Sequence, residues 1–198
     1  MLYSLILELI DQYTFLNVFK YLTFRTGLAM FTSMLVVFLV GTPFINFFSA
    51  RQILDPIRED GPSDHIIKKI GTPTMGGVLI LLGLFSGILL WGDLSNVYNW
   101  FLLFIVSSFG LLGAYDDYRK IKLKNSSGIS FKFKIISQIT IAVIAIVMVN
   151  HFSRNQELTN LYFPFFKDVV INLGWFFIPF SVFIIVGSSN AVNLTDGL

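Results

Sequence analysis

Five stretches of this chain, residues 26 to 50, 70 to 92, 94 to 115, 135 to 153 and 169 to 195, contain no Asp, Glu, Lys or Arg. Each is long enough to cross the roughly 30 Å hydrocarbon core of a bilayer as an α-helix. A soluble domain cannot bury so much uninterrupted apolar sequence and still cover itself: the 198 residues are 55% hydrophobic and 13% charged, with a mean hydropathy of +0.73. The expected fold is therefore all-α, a polytopic integral membrane protein. It has five transmembrane helices at about 26–50, 70–92, 94–115, 135–153 and 172–193, in a single membrane domain over 1–198. The first 20 residues carry Glu8 and Asp11 among apolar side chains and lack a basic start, so they read as an interfacial amphipathic helix and not as a cleaved leader. A β-hairpin or an irregular segment is expected between His151 and Leu173.

The basic residues divide unequally between the two sides of such a bundle. Arg51, Arg58, Lys68, Lys69, Arg119, Lys120, Lys122, Lys124, Lys132 and Lys134 fall on one side, and only Lys20, Arg25, Arg154 and Lys167 on the other. Positive residues stay inside, which makes 51–69 and 116–134 cytoplasmic loops and puts the N-terminus outside. Trp91, Trp100 and Trp175 flank spans at the opposite face, where an indole buries its ring and keeps its N–H at the headgroups. With no cysteine there is no disulfide or thiolate chemistry, and a net charge of +2 is too small for a nucleic-acid footprint.

Chemistry is concentrated at the cytoplasmic ends. Asp116 and Asp117 follow directly on the apolar run ending in Tyr115, a costly place for two carboxylates unless a cation or water satisfies them. Two readings stay open. The pair is a solvated helix end with Asp116 bonded to Lys120 at i, i+4, or its hard oxygens hold Mg²⁺ together with substrate phosphates. Lys120 and Lys124 share the helical face of Asp116, and Lys132 and Lys134 lie close by; topology alone would place lysines here. Joining two phosphate-bearing substrates, however, requires such neutralising charge. In the string Gly71-Thr72-Pro73-Thr74-Met75-Gly76-Gly77, Thr72 suits an N-cap and Pro73 a first helical position, while the glycines allow close backbone approach. Lys69 stands just ahead of it. Asn190, Asn193, Thr195 and Asp196 make the inner end of the last span polar, either as a helix leaving the membrane or as a pocket for a nucleotide head.

Gly61-Pro62 with His65, the glycine-threonine-proline string, Asp116-Asp117 with Lys120, and Asn190-Ala-Val-Asn193-Leu-Thr-Asp196-Gly197 together resemble the phospho-N-acetylmuramoyl-pentapeptide-transferase family, one of the polyprenyl-phosphate N-acetylhexosamine-1-phosphate transferases. The resemblance covers essentially the whole chain, and the threonine-proline-threonine-methionine-diglycine string is its most specific part. It implies the N-terminal half of a ten-helix fold in the bacterial inner membrane. The implied reaction is Mg²⁺-dependent transfer of phospho-N-acetylmuramoyl-pentapeptide from its UDP conjugate to undecaprenyl phosphate, with release of UMP. It further implies a homodimer whose active face is cytoplasmic. On this resemblance Asp116 and Asp117 are catalytic; Lys69, Thr74, Lys120, Lys124, Lys132, Lys134, Asn190, Asn193 and Asp196 bind substrate; and Asp117 and Asp196 hold metal. The stop at Asp196-Gly197-Leu198, just past a polar cluster, leads us to expect a piece of a longer protein that is inactive alone. Another polyprenyl-phosphate sugar-1-phosphate transferase and a small transporter subunit are the competing expectations.

Overall fold

The computed structural model of the chain describes residues 2–51, 75–123, 128–153, 157–163 and 165–195. They form six α-helices and one hairpin: α1 Leu2–Leu9, α2 Leu22–Ala50, α3 Gly77–Trp91, α4 Val97–Leu123, α5 Phe131–Phe152, strands β1 Asn160–Phe163 and β2 Phe166–Asn172, and α6 Phe177–Thr195. Two short 3₁₀ helices, Thr14–Lys20 and Gly174–Phe176, precede α2 and α6. The helices Leu22–Ala50, Val97–Leu123, Phe131–Phe152 and Gly174–Asn193 are long and apolar enough to cross a membrane. The shorter α3 has 15 residues: of its expected span, positions 70–74 lie outside the described residues, and Met75 (φ +65°) and Gly76 precede the helix, which begins only at Gly77.

Side chains on these helices match a hydrocarbon solvent. Phe38 is 73% exposed and Leu111 71%, although each sits in the middle of its helix, and Ile80 in the first turn of α3 is 69% exposed. Several hydroxyls in the helices are satisfied within their own helix, as an apolar medium favours: Thr26 donates to the Leu22 carbonyl, Thr32 to Leu28, Ser107 to Leu103 and Thr140 to Ile136. Pro43 inside α2 removes one ladder bond, a loss that soluble helices rarely tolerate and membrane helices do.

The chain divides into two compact units, 1–130 and 131–198. In the first, α2 packs on α3 and α3 on α4. Small residues set the first of these contacts. Ser33 donates a 2.7 Å hydrogen bond to the Gly83 carbonyl, and a Cβ at Gly87 would lie 2.8 Å from Ser33 Oγ. The single amphipathic helix expected over the first 20 residues is instead broken in two. The amides of Gln12 and Tyr13 both close onto the Leu9 carbonyl, and Tyr13 is extended (φ −131°) before the chain re-enters a helical turn at Thr14.

In the second unit α5 packs on α6. Ala142 and Ala145 of α5 are fully buried, again small residues at a helix contact. Strands β1 and β2 pair antiparallel, Asn160 opposite Asn172 and Tyr162 opposite Val170, with a register shift after Tyr162. The hairpin thus occupies the region where a hairpin or irregular segment is expected. Its open end is tied by side chains: Asn172 Nδ2 donates to Asn160 Oδ1 at 2.8 Å, and the Gly174 amide to Asn172 Oδ1 at 2.8 Å.

Candidate functional site

Helix α4 is 27 residues long, about 40 Å at 1.5 Å per residue, so it outruns the hydrocarbon by roughly two turns. Those turns carry the charged residues. The apolar run ends at Tyr115, yet the helix continues to Leu123 because acid and lysine at i, i+3 and i, i+4 support it. Lys120 Nζ lies 2.7 Å from Asp116 Oδ2 and 3.3 Å from Asp117 Oδ1. One cation therefore serves two adjacent anions, and the triad keeps an excess negative charge.

Asp116 is the more tightly held of the two. Besides the lysine, its Oδ1 accepts a 2.7 Å hydrogen bond from the Ile129 amide. Its side chain is 15% exposed, against 31% for Asp117. Gly128 makes the approach possible. Its φ is +55°, in the left-handed region, and a Cβ there would overlap Asp116 Oδ1 and crowd Lys120 Cε. Gly128 and Ile129, just ahead of α5, are thus held against the acid cluster by a backbone amide. Sequence reasoning missed Gly128 and Ile129. The available signal was Asn125-Ser126-Ser127-Gly128, a run of turn formers between two helices.

The two aspartates differ in what they have left to offer. A carboxylate has about four acceptor positions. Asp116 fills at least two with short bonds, whereas among the described residues Asp117 makes one longer contact. Hard carboxylate oxygens at a water-accessible helix end suit Mg²⁺, which takes one or two carboxylates and completes its shell with water and phosphate oxygens. The donor set fits that ion, with Asp117 as the better ligand. Among the described residues no group of three acidic or imidazole side chains is gathered, so any further protein ligand lies elsewhere.

The remaining expected residues fall into three groups. Lys69, Thr74, Lys124 and Asp196 lie outside the described residues, as do His65 and positions 71–74 of the glycine-threonine-proline string. The described end of that string enters α3 through Met75, at a φ of +65° that non-glycine residues seldom adopt. In the second unit, Lys132 is exposed and Lys134 half-buried in the first turn of α5. Asn190 is already engaged: its amide nitrogen donates to Gln138 Oε1 at 2.7 Å and to the Val186 carbonyl at 2.8 Å. Gln138 itself is 3% exposed. Asn190 thus clamps α6 to α5, and a substrate contact would have to use its Oδ1. Asn193, one turn on, is exposed.

Residues 99–198 match the family model described as glycosyl transferase family 4, and residues 69–81 match phospho-N-acetylmuramoyl-pentapeptide-transferase signature 1. The chain is 81% identical over all 198 residues to a phospho-N-acetylmuramoyl-pentapeptide-transferase of Pelagibacter ubique, covering 55% of that protein. Proteins of the same name from Maricaulis maris and Caulobacter vibrioides are 45% and 49% identical over 100% and 92% of the chain, covering 56% and 51% of their own length. The chain spans about half the length of the curated relatives it matches.

Proposed function

This chain belongs to glycosyl transferase family 4 and carries the phospho-N-acetylmuramoyl-pentapeptide-transferase signature, and from that premise we propose that it forms part of an enzyme making the first lipid-linked peptidoglycan precursor. The donor is UDP-N-acetylmuramoyl-pentapeptide, the acceptor undecaprenyl phosphate, and UMP is released. The observation that carries this reading is the 81% identity to a transferase of that name along the whole chain.

The chemistry assigned to the acid cluster follows from its charges. An oxygen of the lipid phosphate attacks the sugar-bearing phosphorus of the donor, a new P–O bond forms, and the bond to the UMP phosphate breaks. Bringing two anions together in this way needs positive charge and fixed orientation. In this reading Lys120, which the structure holds between Asp116 and Asp117, exchanges a carboxylate for a substrate phosphate oxygen. Asp116 orients the acceptor phosphate and takes its proton where it is protonated, while the Ile129 amide fixes the carboxylate. Asp117, with Asp196, is the Mg²⁺-holding pair. When bound, the ion neutralises the diphosphate and stabilises the leaving UMP. Lys69, Thr74, Lys124, Lys132, Lys134, Asn190 and Asn193 complete the substrate contacts in this reading.

We further propose that five helices span a bacterial inner membrane, the shorter α3 being the fifth, within a single membrane domain. The lysine-rich loops and the acid cluster face the cytoplasm, the N-terminus lies outside, and the enzyme is a homodimer. The test is UMP release in detergent with Mg²⁺ and undecaprenyl phosphate, from a polypeptide of the relatives' length that carries this segment. Turnover of UDP-N-acetylmuramoyl-pentapeptide but not of UDP-N-acetylglucosamine is expected; the reverse preference would assign it to a sister transferase. The 198-residue chain alone should release no UMP above blank.

A further inference from the structure

At the opposite end of the first unit from the acid cluster, an open groove of about 890 Å³ runs along the seam between α2 and α3. Its walls change character along its length. From Ala29 to Phe38 on α2 and from Ile80 to Ile88 on α3 it is almost wholly apolar, with Met30, Met34 and Leu84 among its lining residues. At its far end it becomes polar, where Arg25, Trp91, Asp93 and Asn96 line it. Arg25 to Phe38 is 13 residues of helix, about 20 Å, close to the depth of one leaflet plus its headgroup layer.

The polar end holds an under-satisfied cation. Arg25 stacks its guanidinium 3.9 Å over the Tyr3 ring, and its Nη1 reaches the Trp91 carbonyl only at 3.5 Å. Its Nε is buried without a hydrogen-bond partner. Among the described residues no carboxylate lies within ion-pair distance of Arg25. The nearby Asp93 acts on Arg25 only through longer-range attraction; its Oδ1 accepts from the Ser95 hydroxyl at 2.6 Å and from the Ser95 amide at 3.0 Å. A guanidinium presents five N–H donors, and leaving one half-paired beside hydrocarbon is costly.

We propose that this groove holds one anionic phospholipid, its phosphate at Arg25 and an acyl chain along the α2–α3 seam toward Phe38. An anionic headgroup is favoured over a choline headgroup because its phosphate gives the guanidinium charge-assisted hydrogen bonds without bringing a second cation beside Arg25. The bound lipid also fills the apolar length of the groove, which an inorganic phosphate would leave empty. Because the site lies on the leaflet opposite Asp116 and Asp117, it is separate from the proposed acceptor site and does not depend on the reaction assigned there.

Trp91 lines the groove and reports on it directly. The experiment uses a polypeptide of the relatives' length that carries this segment and retains Trp91 as its single tryptophan, in nonionic detergent micelles, titrated with phosphatidylglycerol or phosphatidylcholine brominated in the acyl chain. Saturable quenching by phosphatidylglycerol at low mole fraction is expected, with roughly fivefold weaker binding for phosphatidylcholine and for Arg25→Gln, and recovery in Arg25→Lys. Equal quenching by both lipids, or no change in Arg25→Gln, overturns the proposal. So does shielding of Trp91 from both lipids together with a dimeric mass, which would mean that a second copy covers the groove. If Arg25→Gln does not fold, the comparison of the two lipids on the chain retaining Arg25 decides alone.

Discussion

Two polar clusters in this molecule handle the same problem in opposite ways. The Gln138–Asn190 pair is neutral and enclosed; Gln138 is 3% exposed, and the Asn190 amide is taken up inside the helix pair. The Asp116–Asp117–Lys120 cluster is charged, unbalanced by one negative charge and partly open, with side-chain exposures of 15%, 31% and 22%. Polar groups that satisfy one another lock helices together. Polar groups left with capacity at a water-facing helix end are the ones available to a ligand. The contrast separates Asn190 from the aspartates, although all three fall within the residues that one family model matches.

The comparison can be sharpened by substitution, and the largest effect is expected at Lys120. Replacing Lys120 with Met in the full-length enzyme should lower turnover by at least about 100-fold, because the two carboxylates would then repel the incoming phosphates; turnover within threefold of the unsubstituted enzyme would remove Lys120 from the site. Gly128→Ala comes next. An alanine at φ +55° against Asp116 should cost about 2 kcal/mol of stability and displace the Ile129 amide from the carboxylate, measurable as a fall in the denaturant midpoint with a loss of activity.

A smaller and purely structural effect is expected at the enclosed pair. Gln138→Ala should destabilise by about 1–2 kcal/mol by stranding the Asn190 amide, and a double-mutant cycle with Asn190→Ala should return a coupling of about 1 kcal/mol. The KM for the nucleotide donor should not change in Gln138→Ala; a tenfold rise would mean that the clamp also shapes the substrate pocket. The smallest effect belongs to Ser33→Ala, which removes one hydroxyl-to-carbonyl bond between α2 and α3 and should cost about 0.6 kcal/mol, read from the same unfolding curves.

How legible all this was depends on the range of the interaction. The apolar centres of the long helices follow from absent charge, and the Asp116–Lys120 pair from i, i+4 spacing, both local properties of the chain. The ends were less legible. Helix α4 runs on to Leu123 and α5 begins at Phe131, because charged residues that leave the hydrocarbon remain good helix formers in water. The contacts that fix the site were not legible at all. Gly128 against Asp116 spans 12 residues through a loop, and Gln138 to Asn190 spans 52. No periodicity encodes either one; they exist only once the helices have packed.

The most direct test of the central claim is Asp116→Asn in a polypeptide of the relatives' length, with UMP release measured in Mg²⁺ and undecaprenyl phosphate. Asparagine keeps the shape and can still accept from the Ile129 amide, but it loses the charge and the proton-accepting oxygen. We predict a fall of 100-fold or more in kcat with the folded structure retained. Turnover at the unsubstituted rate would contradict the assignment of the acid cluster as the phosphate-transfer site.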